Sequence, residues 1–182
     1  KYFILNYKPP VVNLHPYTPQ DINILKVQIL PVVPGIFSAY AQIVNPNPDI
    51  SAWSFEYEMV FRDAQGRELK SVMGEDYLPE HESKFLILPA VPISTPPQSA
   101  ELKLGQIRWT KLPPQSQIAF EVLQKNAGQT TEKHFFVEGI VKNPSSFGIE
   151  KIVVPVIVFD SSSQNILAVN STVLTDIKPF EG

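Results

Sequence analysis

The chain has no cysteine and only three histidines among its 182 residues. Without thiols there can be no disulfide, no thiolate metal site and no cysteine nucleophile. The compartment stays open, because many secreted domains also lack cysteine. Charged residues make up 18% of the chain, below the roughly 25% of an average globular protein. The net charge of −3 leaves no overall basic field to hold nucleic acid, so no nucleic-acid partner is expected. No apolar run is long enough for a transmembrane helix, and Tyr2-Phe3-Ile4-Leu5 is far too short. No signal peptide is read either. A removed leader or a trimmed terminus would leave the same sequence, so any membrane attachment is expected through a segment outside it. Glycine is also scarce, at eight residues, with no phosphate-cradling loop and no Gly-x-Ser-x-Gly.

What the chain does have is proline, 18 residues, within a 43% hydrophobic composition. That is apolar enough for real cores, and the prolines interrupt every stretch that could form a long helix. The class expected is all-β. Residues 1–20, with Pro9-Pro10, His15-Pro16 and Thr18-Pro19, read as an extended leader or linker. Strand-like segments follow at 22–30, 37–44, 53–61, 68–72, 84–88 and 100–109. In the third of these, Trp53, Phe55, Tyr57, Met59 and Phe61 alternate with Ser54, Glu56, Glu58, Val60 and Arg62, the pattern of a half-buried strand. Asp63-Ala64-Gln65-Gly66 reads as a hairpin turn with Gly66 at positive φ. Gly105 marks a bulge, and the proline-rich stretch 89–97 crosses between edges instead of pairing centrally. Pro113-Pro114 sets the domain boundary, giving a hinge over 111–115. Further strands are expected at 118–123, 133–141, 149–159 and 166–174, with a turn at Asn126-Ala127-Gly128. The domains are thus 21–112 and 115–182.

The two halves repeat one pattern. Tyr40-Ala41-Gln42-Ile43-Val44-Asn45-Pro46 resembles Val137-Glu138-Gly139-Ile140-Val141-Lys142-Asn143-Pro144. Each closes a strand with Asn-Pro and is followed by an apolar strand ending in aspartate, Phe61-Arg62-Asp63 and Val158-Phe159-Asp160. A turn, another strand and a proline come next, Pro79 and Pro179. Proline removes a ladder donor and holds its predecessor extended, which ends a strand. Aspartate closes the turn through its own side chain. After Pro79 more strands follow, whereas Pro179 precedes only Phe180, Glu181 and Gly182. The second domain is therefore expected to lack at least one strand, leaving an unpaired edge. A truncated chain is the favoured explanation; strand donation by 118–123, by the leader 1–5 or by a neighbouring molecule is the other.

The order Asn-Pro, strand, aromatic-Asp, turn, strand, Pro resembles the FxLYD domain and is similar to the late-embryogenesis-abundant type-two sandwich. Within it, Met59-Val60-Phe61-Arg62-Asp63 and Val156-Ile157-Val158-Phe159-Asp160 keep the aspartate but lack the leading Phe and the Tyr. Asp21-Ile22-Asn23-Ile24-Leu25, Ile43-Val44-Asn45-Pro46-Asn47-Pro48, Phe55-Glu56-Tyr57 and Trp109-Thr110-Lys111 resemble the extracellular part of membrane-anchored proteins of candidate-phylum bacteria. The resemblance implies two tandem immunoglobulin-like (FxLYD-like) β-sandwich domains with no assigned reaction or ligand.

No catalytic, cofactor or metal site is expected. His15 lies in the leader, and His81 and His134 fall in different repeats. In Glu80-His81-Glu82, neighbours on a strand would diverge, so the triplet reads as a solvated turn. Asn45, Asn47 and Asp49 alternate like calcium ligands but lack the glycine and terminal glutamate of that loop. Glu75-Asp76 are adjacent and would diverge rather than flank a bond. Trp53 and Trp109 are expected in the core before a ligand platform, Trp53 more firmly, since Trp109 sits beside Arg108 and Lys111 at the boundary. Asn170-Ser171-Thr172 matches a glycosylation triplet by chance. The strand at 152–159 is apolar on both faces, Ile152, Val154, Val156 and Val158 against Val153, Pro155, Ile157 and Phe159. It is therefore expected to be covered on both. Val153, Pro155, Ile157, Phe159 and Trp109 are the candidate interface residues.

These features point to a non-catalytic module of the cell surface or envelope, anchored upstream of this chain and acting as spacer, scaffold or adhesion domain. A protein or cell-surface polymer would be its partner, with strand exchange or a homo-oligomer as further outcomes. The alternatives are a soluble, cytoplasmic stress-protective protein and the polymer-binding accessory domain of an enzyme.

Overall fold

Alternating apolar residues between proline- and asparagine-rich turns produce ten antiparallel strands in the computed structural model, with no helix among the described residues, which are 18–111, 120–131, 135–162 and 165–180. The protein is all-β. The first six strands are β1 (Asn23–Val33), β2 (Ile36–Val44), β3 (Ser51–Arg62), β4 (Glu68–Leu78), β5 (Ser83–Pro92) and β6 (Ser99–Thr110). They form two three-stranded sheets, ordered β1-β2-β5 and β4-β3-β6. The sheets face each other as a sandwich over one core, to which β2 contributes Phe37, Ala39, Ala41 and Ile43, β3 contributes Phe55, Met59 and Phe61, and β5 and β6 add Leu86, Leu88 and Leu102. Period two puts these on one face of each strand, and burial at roughly 25 cal/mol per Å² holds them there.

Local chemistry behaves as its residues dictate. Gly66 takes φ +77° in the β3–β4 turn, and the register between β3 and β6 shifts between Leu104 and Ile107, around Gly105. Pro89 and Pro92 sit in β5, at the edge of its sheet, where a missing ladder donor costs least.

Two expectations fail. Trp53 is 59% exposed, and Ala52 is buried in its place. The ladder slips between Ala52 and Phe55 on the β4 side and between Ala52 and Ser54 on the β6 side. That bulge breaks the alternation and turns the indole out. Asn126-Ala127-Gly128 is not a turn but part of β7 (Glu121–Gln129), paired with β8 (Phe135–Lys142). Gly128 lies opposite Phe136, and a Cβ there would come within 2.8 Å of the ring. An aromatic laid over a cross-strand glycine is a ladder contact that outweighs a local turn preference. The expected hinge falls mostly on 112–119, outside the described residues.

The last four strands make two ribbons, β7-β8 and β9-β10, with β9 at Ile149–Phe159 and β10 at Ile166–Ile177. Among the described residues they enclose no buried cluster of their own. Instead Ile166 and Val169 of β10 pack with Leu30 and Tyr40 on the outer face of the β1-β2-β5 sheet, joined by Phe85, Ile87 and Ile157. Tyr40 points away from the first core because it is the even-numbered neighbour of Ala39 and Ala41. Its hydroxyl donates to Gln28 (2.7 Å) and its ring meets Phe85 edge-on at 5.8 Å.

Candidate interaction surface

The repeat seen in the sequence is a repeat of bonds. Asn45 follows β2 and is fully buried; its amide donates to the carbonyls of Ile50 (2.8 Å) and Pro79 (3.0 Å), while its oxygen accepts from the backbone N–H (3.0 Å) and amide (2.8 Å) of Asn47. Asn143 follows β8 and is equally buried. Its amide donates to Phe147 (2.8 Å) and Lys178 (3.1 Å), and its oxygen accepts from the N–H (3.0 Å) and hydroxyl (2.7 Å) of Ser145. The return segment closes each hook. His81 donates its N–H to Asn47 and Phe180 to Ser145, both from left-handed backbone, φ 58° and 57°. Such φ values are costly for residues with a side chain, and the paired hooks hold them in place.

The aspartates correspond as well. Asp63 accepts from the N–H groups of Gln65 and Arg67 (both 2.9 Å) and pairs with the Arg67 guanidinium at 2.7 Å. Asp160 accepts from the Ser162 hydroxyl (2.8 Å) and from the Asn165 N–H (3.3 Å) and amide (2.8 Å). Desolvation pushes the Asp63 carboxyl up, but the hydrogen bonds from Arg67 and Gln65 and the Arg67 charge together hold it below the usual carboxylate range.

These bonds occupy the groups that resembled catalytic or metal sites. The oxygen of Asn45 faces N–H donors, as does that of Asn47, which takes the Gln20 N–H at 2.8 Å. With two donors, both lone pairs of the Asn45 oxygen are used. Glu80 accepts from the Ser51 hydroxyl, which lowers its carboxyl, and His81 serves through its backbone. Glu75 accepts from Ser54, while Asp76 pairs with Lys84. Asn170 is exposed on β10 and accepts from the Ser171 N–H. Among the described residues no three acidic or histidine groups cluster as metal ligands. His15 and His134 lie outside the described residues.

The unusual surface is apolar and belongs to the last four strands. Counting back from the paired aspartates, Ile152, Val156 and Val158 match Phe55, Met59 and Phe61. The first-half residues are fully buried and their counterparts only half-buried. A cleft of about 690 Å³ opens beside Ile152, lined also by Val122, Val141 and Val154 and by Phe85 and Ile87 of the first sheet. Among the described residues little covers the other face of β9, where the expected cover was the first domain, another subunit or a loop: Val153 is 57% exposed, and Pro155 and Phe159 are exposed too. Only Ile157 of that set finds cover, in the cluster with Tyr40, because the β9-β10 ribbon touches the first sheet at one end of its face. Trp109 lies apart from them, half-buried against the first core. The five candidate residues therefore do not form one patch.

The sequence reading missed Tyr40, Leu30, Ile166 and Val169, which join the two halves. A signal existed in β2, where Tyr40 is an aromatic in mid-strand on the face opposite Phe37 and Ile43. It also missed where pairing stops. Among the described residues β10 is unpaired on one side, as is its counterpart β4; the strands without counterparts are β5 and β6, so relative to the first half the additional open edges lie beside β8 and β9.

No family model matches the chain, and no curated protein or solved structure matches it either.

Proposed function

We propose that the protein is a non-catalytic module of a cell surface or envelope, two tandem immunoglobulin-like domains serving as spacer, scaffold or adhesion unit. The observation that carries this reading is the paired hook. Each repeat uses a fully buried polar side chain, Asn45 or Asn143, to fasten a strand end to the returning chain. Satisfied buried networks of this kind rigidify a fold. The cluster of Leu30, Tyr40, Ile166 and Val169 then ties one repeat to the next. A stiff, serially coupled β unit suits a spacer whose task is to hold a distance or present a surface to a protein or a cell-surface polymer. The upstream anchor belongs to this proposal.

The test is surface accessibility in the source cell. Antibody against this chain should label intact cells, and external protease should remove the signal. Recovery only from the cytoplasmic fraction sinks the reading and favours the soluble stress-protective alternative.

One observation favours the polymer-binding reading. Trp53 presents an exposed indole on β3, and such rings stack on sugars and peptides. Retention on cell-wall glycan that disappears with Trp53→Ala, and not with Trp109→Ala, would establish it.

A further inference from the structure

β7 and β8 repeat β1 and β2 down to their register. Glu121 stands opposite Lys142 as Asn23 stands opposite Val44, and the same offset separates these pairs as separates Asn45 from Asn143. Both ladders slip within the next few residues, after Ile24 and after Leu123. β8 is therefore the counterpart of β2, residue for residue. β2 has a second neighbour, β5, which lays Leu86 opposite Ala41 and Leu88 opposite Ala39 and closes the first core from that side. Among the described residues β8 has no second neighbour. Val137 and Gly139, which match Ala39 and Ala41, are exposed where those are fully buried.

The sequence carries a second version of the strand that belongs there. β5 enters its ladder as Lys84-Phe85-Leu86-Ile87-Leu88, and residues 1–5 read Lys1-Tyr2-Phe3-Ile4-Leu5. The two agree at the lysine, at the ring that follows it and at the closing Ile-Leu. We propose that residues 1–5 occupy the open side of β8 in their own chain, as β5 occupies that side of β2. Carried through the repeat, the register of β2 with β5 sets Lys1 opposite Val141, Phe3 opposite Gly139 and Leu5 opposite Val137. Phe3 and Leu5 then take the places of Leu86 and Leu88 and point into the cleft beside Val141 and Ile152. An aromatic ring against a cross-strand glycine is a contact the fold already makes twice, Phe136 on Gly128 and Tyr57 on Gly74.

The chain is long enough and enters the fold at the right end. Gln20 exchanges two hydrogen bonds of 2.8 Å with Asn47, whose carbonyl accepts from the His81 N–H. β5 begins at Ser83, and Lys84 and Phe85 line the same cleft as Val141. From Gln20 back to Leu5 an extended chain spans about 50 Å, whereas the eight residues of β8 are about 26 Å long at the rise of a strand. The tether thus reaches β8 without a neighbouring molecule, and its tethering favours the intramolecular partner. This pairing goes beyond the surface-module reading and does not depend on it: the strand closes the second half wherever in the cell the protein resides.

The test uses the full chain, whose lack of cysteine allows thiols to be placed in pairs. Leu5→Cys with Val137→Cys should close an intramolecular disulfide at a rate independent of protein concentration. That rate should exceed by about tenfold those of Ile4→Cys with Val137→Cys, where the side chains point to opposite faces, and of Leu5→Cys with Val153→Cys on β9. Phe3→Asp probes the same contact without thiols. Amide exchange along β8 should rise about tenfold in this variant, while β1–β6 keep their protection and so report that the first sandwich is folded. Disulfides that form between chains and slow on dilution overturn the proposal and give the edge to the leader of a second copy. Equal rates from Ile4→Cys and Leu5→Cys overturn it as well. So does protection of β8 that ignores Phe3→Asp.

Discussion

Asn45 and Asn143 stand at the same place in two hooks, each fully buried and each donating its amide to a carbonyl just ahead in the loop and to one on the chain returning from the next hairpin. The returning contact in the first hook is doubled, since Leu78 also lies within 3.4 Å of the Asn45 amide. The side chain works as an internal splice, making in each repeat the bonds that a turn's own backbone cannot reach.

Removing either splice should cost more than the bonds it makes, because the carbonyls remain buried. Asn45→Ala is expected to lower stability by about 2–4 kcal/mol, from the loss of two or three bonds and the desolvation of their acceptors. Asn143→Ala should cost less, about 1–3 kcal/mol by the same reasoning, since its loop is more open to water. Urea unfolding midpoints measure both. Equal, negligible losses would show that the hooks close without their asparagines.

Asp63 should produce an acid limb in the stability curve. Its folded-state value lies below the unfolded one, so its contribution is complete above the ordinary carboxylate value of about 3.9. That contribution is lost as pH falls through the lower, folded value. Asp63→Asn should flatten the stability profile in that acid window and change its slope little near neutrality. An unchanged acid slope in the variant would assign the limb to other carboxylates.

The cluster around Tyr40 predicts selective uncoupling. Val169→Asp would bury a charge among the apolar side chains of Leu30, Tyr40 and Ile166. The β9-β10 ribbon should lose its amide protection in hydrogen exchange while the core of β1–β6 keeps its own. Loss of protection in both halves together would mean that they fold as one unit.

Gly74 lies opposite Tyr57, and a Cβ there would stand 2.4 Å from the ring. Gly74→Ala should destabilise by about 1–3 kcal/mol through overpacking. In the Tyr57→Ala background the same change should cost much less, because the collision is gone. Additive losses in the double-mutant cycle would put the strain elsewhere.

The sequence alone determined the all-β class, the approximate strands and the matched turns. Those signals are local: alternation needs only neighbours two apart, and Asn-Pro and Asp close strands through their own bonds. It could therefore be seen that Asn45 answers Asn143 and Asp63 answers Asp160 before any pairing was known. The tertiary structure decided what depends on distant partners. Trp53 faces out because slips against both β4 and β6 reverse its side of the strand. Asn126-Ala127-Gly128 is strand because β8 lies beside it with Phe136 over the glycine. Tyr40 joins a second cluster because β10 arrives on its face. Among the described residues β8 lacks the second partner that β2 has in β5, which pairs with β2 across an intervening hairpin. Packing and pairing across such separations leave little trace in the local pattern of either strand, and so they had to be read from the fold.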